Sequence, residues 1–295
     1  MATQVAAHRQ AGEHGSGRGR GRTGRGDGPG VAEVGLYTDP EIYDILHAPG
    51  TNAEVATFVH LWNRLAREAP KTALEPACGT GRCLQVLRRR GFRVRGFDIS
   101  LPMIRYARRR HGLGSAVFVA GLDDFAQRIR PGSIGLALCP INSIRHVASD
   151  AEMIRHLRAV ARVLHPGGVY AVGISLSAYG LEAPTEDVWR GSRAGVGVKQ
   201  IVSYTPAAGE RGARRRAENV VSVLEVRRGR KVDVRSSSYS LLSYSRGQWE
   251  SVIGRSGLRV LGIVNEQSRN FDPGAIGYAI WVLARPEHPL LSEGN

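Results

Sequence analysis

The sequence predicts a doubly wound α/β protein, on three observations. Between residues 72 and 175, short apolar runs alternate with amphipathic helical stretches. A small-residue loop, Ala77-Cys78-Gly79-Thr80-Gly81, separates the first run from the first helical pattern. The next run, Val94 to Phe97, ends on an acid, Asp98. Strand, tight turn, helix, strand and acid make one βαβ unit, a cradle for a nucleoside-type ligand.

The elements follow in order. Residues 1–33, rich in Arg and Gly, cannot bury apolar surface and are expected to be a disordered leader. The folded domain is expected at 34–285, with a tail at 286–295. Asp39-Pro40 opens a short helix carrying Tyr43 and Ile45. Asn52 is expected to cap a longer helix with Val55, Phe58, Val59, Trp62 and Leu65 on its apolar face, ended by Pro70. Strands are predicted at 72–75, 93–97, 116–119, 134–139 and 168–175, and helices at 80–90, 101–111, 123–129 and 150–164. Arg88, Arg89 and Arg90 suit the negative end of the first of these helices. Leu164-His165-Pro166-Gly167-Gly168 reads as a helix stop and a turn. Such alternation implies a parallel sheet with right-handed crossovers.

The pattern changes after Ser175. Residues 176–217 read as loop-rich, with Arg214, Arg215 and Arg216 solvated. Val220–Val226 and Val232–Leu242 alternate as antiparallel strands about the turn Arg228-Gly229-Arg230. A helix from Gln248 to Ser256, closed by Gly257, precedes two last strands, Leu258–Val264 and Tyr278–Ala284. Residues 176–245 are thus an insertion with antiparallel β structure, placed to cover the carboxyl edge of the sheet.

Composition bounds the partners. A net charge of +15 invites a nucleic-acid role, but all the basic residues except Lys71, Lys199 and Lys231 are Arg, the mark of a codon bias. The Arg-Gly leader lacks the interleaved aromatics that stack on bases. Nucleic acid is therefore not the expected partner. No apolar run is long enough to span a bilayer and no apolar signal segment opens the chain, so a cytoplasmic protein is expected. Cys78, Cys83 and Cys139 lack metal-ligand spacing, and no metal site is expected.

The loop chemistry narrows the ligand. Small residues let ligand atoms approach the backbone. A dinucleotide wants G-x-G-x-x-G and sets its pyrophosphate on a helix N-terminus. Here the third glycine position holds Leu84, and a carboxylate, Glu75, stands at the loop's start. Glu75 repels pyrophosphate but suits S-adenosylmethionine, which has no phosphate and carries a cationic sulfonium and an amino-acid end. A nicotinamide dehydrogenase is disfavoured on the same ground.

Taken in order, EPACGTG, FDIS, VAGLDDF, LCPINSIRHV and LHPGG resemble the class I S-adenosylmethionine-dependent methyltransferases of small-molecule type, over residues 35–285 and best over 72–175. The resemblance implies a Rossmann-like, seven-stranded, mostly parallel sheet, with 258–264 and 278–284 as closing strands and the last antiparallel. It implies that Glu75, Ala77, Gly79 and Gly81 form the methionine-side loop, Ala77 replacing the commoner glycine. It implies that Asp98 takes the ribose hydroxyls, that Ile99 and Met103 pack on the adenine, and that Leu122 and Asp123 meet its edge. Asp123 has a competing role as a helix N-cap. Cys139 is also placed near the cofactor, although a buried strand-end thiol explains it far better.

The acceptor side is less determined. Ligands of doubly wound sheets sit at the carboxyl ends of strands, which places Asn142, Ser143 and His146 near the methyl group. Asn142 could orient the acceptor and His146 could take its proton, or simply pack locally. Tyr37 and Tyr43 are candidates to line the pocket from the N-terminal side, Tyr43 on the catalytic side and Tyr37 on the cofactor side. Trp189, Arg193, Tyr204, Arg235, Tyr239 and Tyr244 are available to the insertion. The expected activity is methyl transfer to a small-molecule N or O acceptor. The alternatives are an RNA or protein methyltransferase aided by the leader, and a cofactor-binding protein without catalysis.

Overall fold

Helix α1 (Pro40–His47) begins where Asp39 accepts the Ile42 amide and Pro40 presets the first turn. In this computed structural model residues 35–272, 274 and 276–292 are described. The expected leader, 1–33, lies outside the described residues. Helix α2 (Thr51–Leu65) starts after Gly50 at φ +84°; Asn52, the expected cap, lies inside its first turn. An apolar face with Val55, Phe58, Leu61 and Trp62 is buried against the sheet.

The predicted alternation then runs as β1 (Thr72–Pro76), α3 (Arg82–Arg89), β2 (Arg93–Asp98), α4 (Leu101–Arg110), β3 (Val117–Val119), β4 (Ile134–Cys139), α5 (Asp150–Val163) and β5 (Leu164–Leu176). Every residue of β1 and β4 is buried, as strands covered on both faces must be. Two expectations change here. The 123–129 helix is only a short 3₁₀ turn, Phe125–Arg128. LHPGG is not a turn: α5 stops at Val163 and the chain passes directly into β5. Gly168 is required there by crowding, since a β-carbon would stand 2.7 Å from the Ile134 carbonyl oxygen.

The insertion is more ordered than its sequence suggests. Strands β6 (Thr185–Arg193), β7 (Val196–Thr205), β8 (Ala217–Arg228) and β9 (Lys231–Leu242) form a separate antiparallel sheet in that order. The expected loop at 176–217 thus contains a hairpin, β6–β7, turning on Ala194-Gly195 with both residues at positive φ. Arg216 is not solvated but buried, bonded to Asp150 at 2.9 Å and to the Ser243 carbonyl oxygen. The two ends of the insertion meet where the Ser177 amide donates to the Tyr244 carbonyl at 2.9 Å.

Helix α6 (Arg246–Ser256) opens on a Ser245–Gln248 capping box and closes on Gly257. Strands β10 (Arg259–Val264) and β11 (Gly277–Ala284) complete the main sheet, in the order β10-β11-β5-β4-β1-β2-β3, with β11 antiparallel to both neighbours. The expected tail includes a short helix, α7 (Pro289–Ser292), beside the buried His288. One face of the main sheet packs Phe97, Tyr170, Trp249 and Trp281 beneath α5 and α6; the other packs Phe58, Leu84, Leu87 and Ile104 beneath α2, α3 and α4. A smaller core joins Leu36, Ile42, Ile45 and Leu46 of the N-terminal segment to Val198, Leu224 and Val226 of the insertion.

Candidate functional site

The loop after β1 is held by its neighbour strand. Asp98, at the end of β2, accepts the Gly79 amide on one oxygen and the Ser100 amide on the other, each at 2.8 Å. The Cys78 amide donates to the Phe97 carbonyl at 2.9 Å. Ala77, Gly79 and Gly81 have φ of +51°, +51° and +74°. At Gly81 a side chain would be strained by the positive φ and would push on Leu113, whose Cδ1 would lie 2.5 Å from the β-carbon. Ala77 bears a left-handed conformation that a glycine would adopt without strain.

Glu75 points into this loop and is only 4% exposed, with Oε2 buried and without a hydrogen-bond partner among the described residues. Burial pushes its pKa up to about 8, against the pull of Arg82. Arg82, the first residue of α3, is itself buried and pairs with Glu54 through both of its terminal nitrogens, while donating to Thr51 Oγ1 at 3.0 Å. This Glu54–Arg82 tie was not foreseen; its partners lie on different helices, and nothing local in the sequence joins them. Asp98 also has a pKa raised by burial, which its two backbone donors oppose.

The apolar candidates separate. Ile99 is 81% exposed beside Asp98, an apolar platform open to a flat base. Met103 is instead buried in the helix-packed core, with its amide capped by Ser100 Oγ. Cys139 is completely buried, so its thiol reaches no ligand space; burial pushes its pKa up to about 12. The Leu122 carbonyl lies 2.8 Å from His156 Nδ1, which therefore carries the proton and leaves Nε2 to accept from the Tyr170 hydroxyl at 2.8 Å. That buried histidine fixes the Leu122 turn, a support the sequence did not disclose. Asp123 is exposed and pairs with Arg155 at 3.2 Å; it caps no helix.

Above the loop stand aromatic rings. Tyr43 lies over Gly79, its Cε1 3.7 Å from where a β-carbon would be, and burial raises its pKa to about 12. Tyr37 follows at 6.0 Å between ring centroids, and His146 is 5.9 Å beyond. A cleft of about 360 Å³ opens beside His146, with Leu241, Leu242 and Ala217 in its wall. A larger cleft of about 420 Å³, edged by Arg93, Arg95 and Arg128, lies at the opposite, amino edge of the sheet and takes no part. Asn142, expected to orient an acceptor, is committed elsewhere: its Oδ1 accepts the Ser175 amide at 2.7 Å and its Nδ2 donates to Ser175 Oγ at 3.0 Å. Ile141 and Asn142 both adopt positive φ, +44° and +58°, a strained turn at the end of β4.

The cradle thus offers a buried carboxylate with a free oxygen, a loop of small residues partly open at Ala77 and Gly79, a second carboxylate at a strand end and an exposed Ile99. A carboxylate of this kind suits a cationic ligand better than a pyrophosphate. Residues 73–168 match the family of methyltransferase domains. The chain contains a methyltransferase domain. A curated relative, the dTDP-3-amino-3,6-dideoxy-alpha-D-glucopyranose N,N-dimethyltransferase of Streptomyces fradiae, is 33% identical over 138 residues, 45% of this chain and 51% of the relative. The chain thus spans about half the length of the curated relative it matches. The methyltransferase domain and its flanking elements also share their fold with solved structures. DesVI of Streptomyces venezuelae superposes with a TM-score of 0.67 at 20% identity, over 86% of this chain and 100% of that one. The sugar N-methyltransferase KedS8 from a Streptoalloteichus species superposes at 0.63 with 19% identity, over 90% and 99%. CalS10, an amino pentose methyltransferase from Micromonospora echinaspora, superposes at 0.60 with 18% identity, over 80% and 91%.

Around the methyltransferase domain, the N-terminal helix is fastened to two elements by one carboxylate. Asp44 of α1, 2% exposed, accepts from Arg193 of β6 at 2.7 Å and from the Tyr106 hydroxyl of α4 at 3.0 Å, with His111 Nε2 at 3.4 Å. These partners hold its pKa well below the usual carboxylate range despite burial. Among the described residues, no helix is long and apolar enough to cross a membrane, and no cluster has the makeup of a metal site.

Proposed function

We propose that the protein transfers a methyl group from S-adenosylmethionine to the amino group of a small molecule, an amino sugar carried on a nucleotide. The unpartnered Oε2 of Glu75, buried beside the glycine loop, carries the donor half of this reading. The acceptor half rests on the curated relative and on the solved sugar and amino pentose methyltransferases of the same fold. The bound donor would supply an activated methyl carbon. The chain's own work is then alignment and exclusion of water. Glu75 would hold the ammonium, Gly79 and Gly81 would admit the methionine chain, Asp98 would accept from the ribose, and Ile99 would carry the adenine.

His146 is assigned the acceptor's proton. Burial, reinforced by Arg145, keeps its pKa below the ordinary value, so the ring is neutral and able to accept near pH 7. The insertion serves as a cover for the acceptor. Three free cysteines, all buried, accord with a cytoplasmic setting. The loop after β4, Cys139-Pro140-Ile141-Asn142, lacks the aromatic motif usual in nucleic-acid methyltransferases, which favours a small acceptor.

The test is turnover. Labelled S-adenosylmethionine with dTDP-3-amino-3,6-dideoxyglucose, and in parallel a pool of metabolites, should yield S-adenosylhomocysteine and a methylated amine. Binding of S-adenosylmethionine with no product from either source would overturn catalysis and leave a cofactor-binding protein. In the active case, His146→Ala should lower kcat by about 10²–10⁴-fold and remove the acid limb of the pH profile.

A further inference from the structure

We propose that Tyr239 of the insertion completes, with Tyr37 and His146, an aromatic cage that selects an amine over a hydroxyl as methyl acceptor. The proposal deepens the methyltransferase reading and rests on it. Nothing in the sequence sets these residues together: one precedes α1, one follows β4 and one lies on β9. Their rings form a triangle, with centroids 5.9 Å apart for Tyr37 and His146, 5.7 Å for Tyr37 and Tyr239, and 5.3 Å for His146 and Tyr239. Tyr37 meets the other two rings at steep angles, 88° and 68°, while His146 and Tyr239 lie only 31° apart, so Tyr37 stands as a wall beside a shelf of two rings. Tyr37 is 44% exposed and Tyr239 half-buried, which leaves ring surface for a ligand. Tyr43 links the triangle to Gly79, so the corner lies on the side from which an acceptor would meet the donor loop.

The charges around the cage are already spent. Arg145, next to His146, is buried and bonded to Glu218 at 2.8 Å, to the Leu242 carbonyl at 3.0 Å and to Ser243 Oγ at 3.0 Å. Burial raises the pKa of Tyr239, so its hydroxyl stays neutral at physiological pH. Among the described residues the arginine beside the cage is thus paired, and the rings themselves are uncharged.

That environment discriminates by charge. With an amine, the nitrogen lone pair forms the new C–N bond as the C–S bond breaks, and the C–S electron pair leaves on sulfur. The positive charge moves to nitrogen, which then gives a proton to His146. With a hydroxyl, the C–O bond forms as the C–S bond breaks and the proton passes to His146 in the same process, so no lasting cation develops on the acceptor and the ether is neutral. Ring faces attract the developing ammonium and gain nothing from a neutral ether.

The experiment uses the full-length protein saturated with S-adenosylhomocysteine, and two probes of similar size, tetramethylammonium chloride and tert-butanol, titrated by NMR. The cage predicts tighter binding of tetramethylammonium than of tert-butanol. Tyr239→Leu should weaken tetramethylammonium by about five- to thirty-fold, the range of one ring's cation attraction, while Tyr239→Phe stays within about two-fold. Equal affinities for the two probes, or a Leu variant that binds tetramethylammonium like the wild type, would overturn the cage. If Tyr239→Leu loses its fold by circular dichroism, Tyr239→Met gives the same comparison. Calorimetry of S-adenosylhomocysteine in the same samples keeps the two readings apart: wild-type protein that does not bind it overturns the methyltransferase reading, while the ammonium probe still judges the cage.

Discussion

The Asp98 carboxylate receives the Gly79 amide at 2.8 Å, joining the end of the second strand to the loop after the first. It therefore shapes the loop before any ligand arrives. Asp98→Ala should weaken S-adenosylmethionine binding by about 1.5–3 kcal/mol, the value of a hydrogen bond to a charged acceptor. It should also speed hydrogen exchange at the amides of Gly79 and Ser100. Unchanged affinity by calorimetry would sink the ribose assignment.

Glu75 makes stability depend on pH. Its folded pKa of about 8 lies well above the usual carboxylate value near 4, so the folded state holds a proton that the unfolded state has released. Between those values, ligand-free stability should fall as pH rises, by about 1.4 kcal/mol for each tenfold difference in proton affinity. Glu75→Gln should flatten that slope between pH 5 and 8, as followed by chemical denaturation, and should abolish donor binding. A slope identical to wild type would show that the carboxylate is already ionised in the fold.

Ala77 sits at φ +51°, where a β-carbon is unfavourable. Ala77→Gly should stabilise the protein by about 0.5–1 kcal/mol and raise Tm by about 1–4 °C. Donor affinity should persist, since the loop geometry is unchanged. A lower Tm by scanning calorimetry would mean that the lost chain entropy outweighs the relieved strain.

Asp44 anchors α1 through Arg193 and Tyr106. Asp44→Ala removes a buried carboxylate whose partner arginine can turn to water, because the Arg193 side chain is 31% exposed. The cost should be about 1–3 kcal/mol, less than for a pair buried on both sides. Hydrogen exchange should rise in α1 and β6 while α5 stays protected. Because its folded pKa is depressed, the wild-type contribution of Asp44 is present above pH 4 and lost on acidification. Uniform destabilisation across the chain would argue against a local fastening.

The central βαβ unit was legible because its chemistry leaves few options. A loop that must admit a ligand needs small residues, and a strand buried on both faces needs a continuous apolar run. The hairpin β6–β7 was not. Its turn puts Ala194 in a conformation usually given to Gly or Asn, and its first strand, with Glu186, Asp187, Arg190 and Arg193, reads as polar loop. The placement of the candidate residues was legible where backbone position decides, as at Asp98 and Gly79, which the strand end and the loop bring together. Their contacts were illegible where a distant partner decides: Asn142 bonds Ser175, Met103 is buried, and Asp123 pairs with Arg155. Tyr239 had no local motif to mark it, since its setting is made by Tyr37 and His146.

The hydrogen bond from the Ser177 amide to the Tyr244 carbonyl closes the neck of the insertion. Chain enters and leaves the cover at one point, and the meander between is assembled from strands adjacent in sequence. Such a segment is a single excursion of the chain, tied to the rest by its neck and by the core it shares with Leu36, Ile42, Ile45 and Leu46. A graft between relatives of the same fold would therefore have to move the N-terminal segment and the insertion together, leaving the βαβ unit in its own framework.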